Sequence, residues 1–227
     1  MPKATKKASL ADNLLRAALY LLIYLILAAI FEGVVYGVYI INLIDYNTFN
    51  FLSDVATLIP LSIAVFVYGI FFKNAKPSKV FAQLGFTTKG GVISKIMLGL
   101  VIFLIVLCIE LIISVISIAT NVQINTNVGM AFAGAPLWFY IFSATIEPIN
   151  EEILFRGFLV PRMGIIPSAL LFGLAHYSYN STFGVEVIAA FIFGIIAGYV
   201  FRRTKSIYPG MIAHILVNTI AVIGLLS

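Results

Sequence analysis

The stretch EEILFRG, residues 151–157, places two adjacent carboxylates and one guanidinium inside a nearly continuous apolar sequence. Apolar residues precede it over 137–146 and follow it over 158–160, so the stretch is predicted to lie in a membrane helix. Ionisable groups at membrane depth are costly, and they usually face the interior of the helix bundle. The stretch therefore predicts a helical membrane protein with a polar site inside it.

Helical geometry separates the roles of the three charges. At about 100° per residue, Glu152 and Arg156 lie about 40° apart and are predicted to form an i,i+4 ion pair. Glu151 lies about 140° from Arg156, so the same guanidinium cannot easily neutralise it. Glu151 is therefore predicted to be the free carboxylate and a general base. A buried ion pair with a purely structural role is the alternative interpretation.

The composition defines the class of protein. The chain has 227 residues, of which 62% are hydrophobic and 10% charged. In soluble domains about half of the residues are apolar and about a quarter are charged. The prediction is an all-α, polytopic transmembrane helical bundle. Its single cysteine, Cys108, excludes a disulfide within the chain and a zinc–cysteine site.

Seven spans are predicted along one integral membrane domain, residues 1–227. They are 14–44, 51–72, 96–119, 136–160, 165–179, 185–201 and 208–226. Residues 45–50 are predicted to form a short polar turn, and residues 73–95 a segment on the cytoplasmic membrane surface. The motif-bearing core covers about 136–222.

The basic residues predict the topology. With the N-terminus inside and seven alternating spans, every Lys and Arg except Arg156 falls at or near the same side. The N-terminus is therefore predicted to be cytoplasmic and the C-terminus extracytoplasmic, in a multi-pass protein of the cell membrane. Because these charges act as topology signals, the net charge of +5 does not indicate nucleic-acid binding.

Two further polar clusters lie in later spans. FGLAH, residues 172–176, places His176 in the fifth span, and HILVN, residues 214–218, places His214 and Asn218 on one face of the seventh. Counted along their helices, Glu151 and His176 lie about 15 Å from the inner side, and His214 and Asn218 about 8 and 14 Å. Convergence of these groups predicts a site, although a lone membrane histidine is more often a packing residue.

These residue types suit hydrolysis. A carboxylate and an imidazole can deprotonate a water molecule, and a second imidazole and an amide can stabilise the resulting oxyanion. No serine or cysteine nucleophile accompanies the cluster. Two histidines and a glutamate can instead bind zinc, although the chain has no H-E-x-x-H sequence. The metal-free mechanism is preferred, with zinc as the alternative.

The three motifs resemble a known family. EEILFRG, FGLAH and HILVN are similar to E-E-x-x-x-R, F-x-x-x-H and H-x-x-x-N of the CPBP intramembrane proteases. This group includes the CAAX prenyl endopeptidases and the bacterial Abi proteins. The resemblance covers about residues 136–222 and has the motifs in the family order.

The resemblance implies roles for individual residues. It implies a vestibule opening toward the cytoplasm, with Glu151 and His176 activating water. His214 and Asn218 would then stabilise the oxyanion. Glu147, one turn before Glu151, departs from the family pattern and is a further candidate site residue. The supporting residues would be Glu152, Arg156 and Phe172.

The favoured function is an endopeptidase that acts on membrane-associated, lipid-modified or precursor peptides, with peptide, lipidated protein and membrane lipid as partners. A non-catalytic immunity protein against bacteriocins is the first alternative. A proton-coupled transporter is the second, although no paired repeats are visible in the sequence. The other acids in or near the spans have no partner visible in the sequence; they are Glu32, Asp54, Glu110 and Glu186.

Overall fold

The computed structural model describes residues 10–120, 134–177 and 185–226, and the regular secondary structure in these ranges is helical. The helices are α1 (Leu10–Ile40), α2 (Tyr46–Val67), α3 (Pro77–Gln83), α4 (Val92–Thr120), α5 (Leu137–Glu152), α6 (Val160–Met163), α7 (Ile165–Ala175), α8 (Val185–Thr204) and α9 (Tyr208–Leu226). Two π-helical segments, Tyr68–Phe72 and Ile153–Leu159, extend α2 and join α5 to α6. The predicted all-α class is confirmed.

Among the described residues, five helices are long and apolar enough to cross a membrane. They are Ala18–Ile40, Tyr46–Phe72, Val92–Thr120, Val187–Thr204 and Tyr208–Leu226, which correspond to five of the seven predicted spans. The remaining two predicted spans, the fourth and the fifth, are not among these five helices. The fourth is the charged helix 137–163, and the fifth is α7, whose 11 residues extend only about 16 Å against a hydrocarbon thickness of about 30 Å.

Two predicted connections differ from the structure or fall outside it. The polar turn predicted at residues 45–50 is wrong, because α2 already begins at Tyr46. Asp45 caps this helix: its carboxylate accepts a 2.7 Å hydrogen bond from the Thr48 N–H, which also lowers the pKa of Asp45 below its usual value. The predicted end of the fifth span, 178–179, and residues 121–133, which connect the third and fourth predicted spans, lie outside the described residues.

The predicted surface segment contains α3 and packs against the ends of the spans. Val80 and Leu84 are buried there at 3% exposure each. Gly85 has φ +90°, a conformation that glycine adopts without strain, and its carbonyl accepts a 3.0 Å hydrogen bond from the Ile207 N–H. This bond connects the segment to the beginning of α9, which carries the third motif.

The motif helix α5 packs between α2 and α9, and α9 also packs against α4. Behind the motif, the Ser62 hydroxyl on α2 donates a hydrogen bond to the side-chain oxygen of Asn150 on α5. Helices α7 and α8 pack closely, because a Cβ on Gly173 would lie 2.7 Å from the Val187 carbonyl oxygen. These contacts bring α5, α7 and α9, which carry the three motifs, to one region of the bundle.

Candidate active site

A buried ion pair lies at the base of the site. Nη1 of Arg156 is 2.9 Å from Oε1 of Glu152, and the two side chains are 1% and 0% exposed. The pair predicted from the i,i+4 spacing is therefore present. Gly210 on α9 makes room for it, because a Cβ at this position would collide with the Glu152 carboxylate. The first motif thus requires a close approach of α9.

The helix that carries the motif changes its hydrogen-bonding pattern immediately after Glu152. Residues Ile153–Leu159 form a π-helix rather than the uniform α-helix assumed in the sequence prediction. The Ser168 hydroxyl on α7 donates a 2.7 Å hydrogen bond to the Phe155 carbonyl within this segment. Such π-helical segments are often found at functional sites. Here the segment carries Arg156, whose guanidinium contacts Glu152 and the Phe172 ring.

Phe172, the aromatic residue of the second motif, packs against the buried guanidinium of Arg156. Its ring is 1% exposed, and the guanidinium carbon of Arg156 lies 4.1 Å from the ring centroid. A second ring, Phe193 on α8, lies 4.9 Å from the same carbon. The Phe172 ring also contacts His176, with a centroid separation of 4.5 Å. The two rings cover the guanidinium with aromatic faces, where cation–π attraction offsets part of the cost of burial.

His214 lies between the two adjacent carboxylates. Its Nε2 atom is 3.5 Å from Oε2 of Glu151, and its Nδ1 atom is 3.4 Å from Oε1 of Glu152. Both separations are longer than a hydrogen bond but within the range of an electrostatic contact. One imidazole therefore connects the Glu152–Arg156 pair to the carboxylate that was predicted to be free.

His176 ends α7 and has a defined orientation. Its Nδ1 atom lies 2.9 Å from the Phe172 carbonyl oxygen. Because a carbonyl only accepts, this contact assigns the proton of the neutral ring to Nδ1. The Nε2 atom then carries a lone pair and can accept a proton or bind a metal ion.

Asn218, from the third motif, is partly committed to another contact. Its Nδ2 group donates a 3.0 Å hydrogen bond to the Ser143 carbonyl on α5. This bond uses one of the two amide hydrogens and leaves the second available. The side chain is therefore held in position while it still has one donor for a ligand.

A cavity of about 250 Å³ contains three of the four predicted catalytic residues. His176, His214 and Asn218 line it, together with apolar side chains from α4, α8 and α9. Glu151 is buried beside His214 at 7% exposure. A larger cavity, of about 730 Å³, lies between α4, α7 and α8, but its lining contains none of the predicted site residues. We therefore place the candidate reaction in the smaller cavity.

Comparison with known proteins agrees with this arrangement. The family model for type II CAAX prenyl endopeptidase Rce1-like proteins matches residues 133–220, which contain all three motifs. This region of the chain is Rce1-like. This match agrees with the resemblance of the three motifs to the CAAX proteases, and the similarity applies to residues 133–220. No curated protein and no solved structure matches the chain.

Glu147 also lies within the Rce1-like region, one turn before Glu151. It interacts electrostatically with Glu151 and with Asp54 on α2, and its carboxylate has a side-chain hydrogen bond with Ser143. The predicted proximity of Glu147 to Glu151 is therefore present. Its contact with Ser143 places it next to the backbone that holds Asn218.

The donor set of the Rce1-like site also fits a zinc ion. One ligand atom each from Glu151, His176 and His214 lies within 4.8 Å of the other two. Two ligands of a tetrahedral zinc ion are about 3.4 Å apart, since each lies about 2.0–2.1 Å from the metal. The 3.5 Å between His214 and Glu151 is close to that value. Three protein ligands with a fourth position open is the usual arrangement of catalytic zinc.

Glu110 is a cavity residue for which the sequence predicted no role. It is the only acid among the 29 mostly apolar residues of α4, and it lines the cavity with His176 and Asn218. It lies outside the Rce1-like match. The packing of α4 against α9 brings it to the site, and a long-range contact of this kind has no local sequence signal.

Proposed function

We propose that this protein is an intramembrane endopeptidase that hydrolyses peptide bonds with a water molecule activated by Glu151 and His176. The observation that supports the proposal is the convergence of three reactive side chains in one buried site, where ligand atoms of Glu151, His176 and His214 lie within 4.8 Å of one another. The substrates are membrane-associated, lipid-modified or precursor peptides.

In this mechanism the residues act in sequence. The Glu151 carboxylate accepts a proton from water while the water oxygen bonds to the carbonyl carbon of the substrate. The lone pair on Nε2 of His176 accepts a hydrogen bond from the same water and orients it. The carbonyl oxygen becomes an oxyanion, to which His214 and the remaining N–H of Asn218 donate hydrogen bonds. When the C–N bond breaks, Glu151 returns its proton to the leaving amine.

A metal-dependent form of the same hydrolysis is the second candidate, because the three side chains also match a zinc donor set. Glu151, His176 and His214 would hold the ion. Bound zinc supplies a polarised water and a Lewis acid for the carbonyl oxygen. Asn218 keeps its role as an oxyanion donor in both forms.

The biological role as an immunity protein against bacteriocins is less favoured, since the family match indicates a protease. The two roles can be separated in cells. If protection requires peptide hydrolysis, a Glu151→Ala protein that still accumulates in the membrane should give none. Protection by that variant would support a non-catalytic role.

The decisive experiment is a cleavage assay with purified protein in lipid nanodiscs. Peptides of mixed sequence, with and without an isoprenoid chain on cysteine, should be cleaved by the wild-type protein and analysed by mass spectrometry. Glu151→Gln should remove this cleavage. Glu32→Gln is the matched control, because Glu32 is a half-buried acid that does not line the cavity. Equal cleavage by the wild-type and Glu151→Gln proteins would contradict the proposal.

A further inference from the structure

Acidic and basic residues are strongly segregated along the chain. Of the nine Asp and Glu residues, all except Asp12 lie in the segments 17–72, 96–155 and 163–201, which contain no Lys or Arg. Apart from Arg156, the basic residues cluster near the opposite helix ends. The part of the bundle that contains the candidate site therefore carries acids without compensating bases, apart from Arg156, which is already paired with Glu152.

Glu110 is the acid of this group that faces the reactive cavity. It is half-buried on α4 and lines the cavity together with His176, His214 and Asn218. The described part of the chain gives it no hydrogen bond and no ion pair. No Lys or Arg is present among the described residues that line the cavity.

An unpaired carboxylate in this position carries a cost. Removing a charge from water is unfavourable unless an opposite charge or hydrogen bonds compensate for it. Acids within membrane spans accordingly pair with other groups or belong to functional sites. The described residues that line the cavity include no Lys or Arg, so a basic group on a bound molecule can supply the compensating charge.

The walls of the cavity indicate what kind of molecule this is. Besides Glu110, the lining is mainly apolar and includes Val106, Ala189 and Val217. A hard metal cation requires several oxygen ligands, and one carboxylate on an apolar wall does not provide them. The side chain of lysine or arginine fits better, because its methylene stem packs on apolar surface while its charged end reaches a carboxylate.

We propose that Glu110 is a specificity-determining residue that binds a basic side chain of the peptide substrate next to the cleaved bond. This inference rests on the proposed function, and it adds the substrate class: peptides with a lysine or arginine near the cleavage site. Glu110 supplies the specific contact, and it lies on a helix outside the Rce1-like match.

Binding must be measured separately from cleavage. The protein is Glu151→Gln in lipid nanodiscs, and the ligands are fluorescent peptide pairs that differ only by lysine or norleucine at one position near a bond cleaved by the wild-type protein. The lysine peptide should bind about tenfold more tightly at the preferred position, as expected for a hydrogen-bonded charge pair. Adding Glu110→Gln should remove this preference and leave binding of the norleucine peptide unchanged.

Adding Glu32→Gln instead of Glu110→Gln is the matched control, since it removes the same charge from an acid outside the cavity lining. This control should retain the preference for lysine. Equal loss in both variants would show a long-range charge effect only and would overturn the proposal. A lysine preference that persists in the Glu110→Gln protein would also overturn it.

The outcomes distinguish this inference from the proposed function. If the wild-type protein cleaves peptides but shows no Glu110-dependent preference, the peptidase proposal stands and the role of Glu110 is wrong. If no peptide is cleaved, the binding comparison is made on the same peptide pairs with lysine at each position in turn. A Glu110-dependent preference would then support recognition of a basic side chain and contradict the peptidase.

Discussion

The Nε2 atom of His214 lies 3.5 Å from the Oε2 atom of Glu151, and the opposite ring nitrogen lies 3.4 Å from Glu152. The predicted general base and the predicted structural ion pair therefore share one imidazole. A substitution in the pair affects the orientation of His214 as well as the stability of the bundle. Experiments on the two adjacent carboxylates must measure folding and activity separately.

The first prediction concerns the ion pair. Arg156→Ala should lower the free energy of unfolding by about 3–5 kcal/mol, because the buried Glu152 carboxylate loses its compensating charge. Thermal unfolding and membrane abundance are the measurements. Arg203→Ala is the matched control, since Arg203 is exposed on α8 and lies over the Tyr199 ring. A similar loss in the control would contradict a special role for the buried pair.

The second prediction separates the roles of Glu151 and Glu152. Glu151→Gln should abolish cleavage in a protein that unfolds at close to the wild-type temperature, because Glu151 is proposed to take a proton from water. Glu152→Gln should lower the unfolding temperature as well as activity, because Arg156 loses its partner. If the glutamine at 151 unfolds the protein while the glutamine at 152 only inactivates it, the two roles are reversed.

Sequence and structure agree where the determining contacts are local. The Glu152–Arg156 pair follows from i,i+4 spacing, and the placement of the motifs in membrane helices follows from the long apolar runs around them. The π-helix at Ile153–Leu159 was not predicted, because neither glycine nor proline spacing signals a change from i−4 to i−5 hydrogen bonding. The turn predicted at 45–50 was wrong because polar residues in the first turn of a capped helix resemble a loop.

The arrangement of the site depends on contacts between distant parts of the chain. The position of His214 between two carboxylates requires α9 to lie against α5, with Gly210 under Glu152. The entry of Glu110 into the cavity requires α4 to lie against α9. The residue spacing within one motif does not indicate that α9 packs against α5 or that α4 packs against α9. Sequence could therefore identify the candidate residues but could not assign their neighbours.

The third prediction concerns the groups around the oxyanion and the water. Asn218→Ala should reduce kcat by about 10²–10³, as expected for loss of one oxyanion donor. His176→Ala should reduce it by about 10²–10⁴, because the water loses the partner of the general base. Steady-state rates in nanodiscs provide the test. A loss below threefold for Asn218→Ala would remove it from the oxyanion site.

The fourth prediction distinguishes the metal-free mechanism from the zinc-dependent one. If Glu151 and His176 activate water without metal, cleavage should survive thorough chelation, and elemental analysis should find no stoichiometric zinc. If zinc is held by the two histidines and Glu151, chelation should stop cleavage and added zinc should restore it. One zinc per chain, lost together with activity in His214→Ala, would rule out the metal-free mechanism.

The fifth prediction concerns orientation in the membrane. With a cytoplasmic N-terminus, reporter fusions after Asn125 and after Lys205 should lie on opposite sides, because the sequence places all basic clusters at one side. A periplasmic phosphatase and a cytoplasmic fluorescent protein are suitable reporters. Finding both fusion points in the same compartment would contradict the predicted topology.

The charged pair in the motif helix has a consequence for how the protein is made. Helix 137–163 is not among the five long apolar helices. Besides the Glu152–Arg156 pair it carries Glu147 and Glu151, and an unpaired charge at the centre of a membrane segment costs about 2.5–3.5 kcal/mol during insertion. We therefore expect this helix to enter the bilayer together with the helices that pack against it. Each of the five long apolar helices can enter the bilayer alone. In ribosome-bound chains that end before α9, helix 137–163 should be less stably inserted, because Gly210 and His214 are not yet present to pack against Glu152. Synthesis of α9 would then be coupled to assembly of the site.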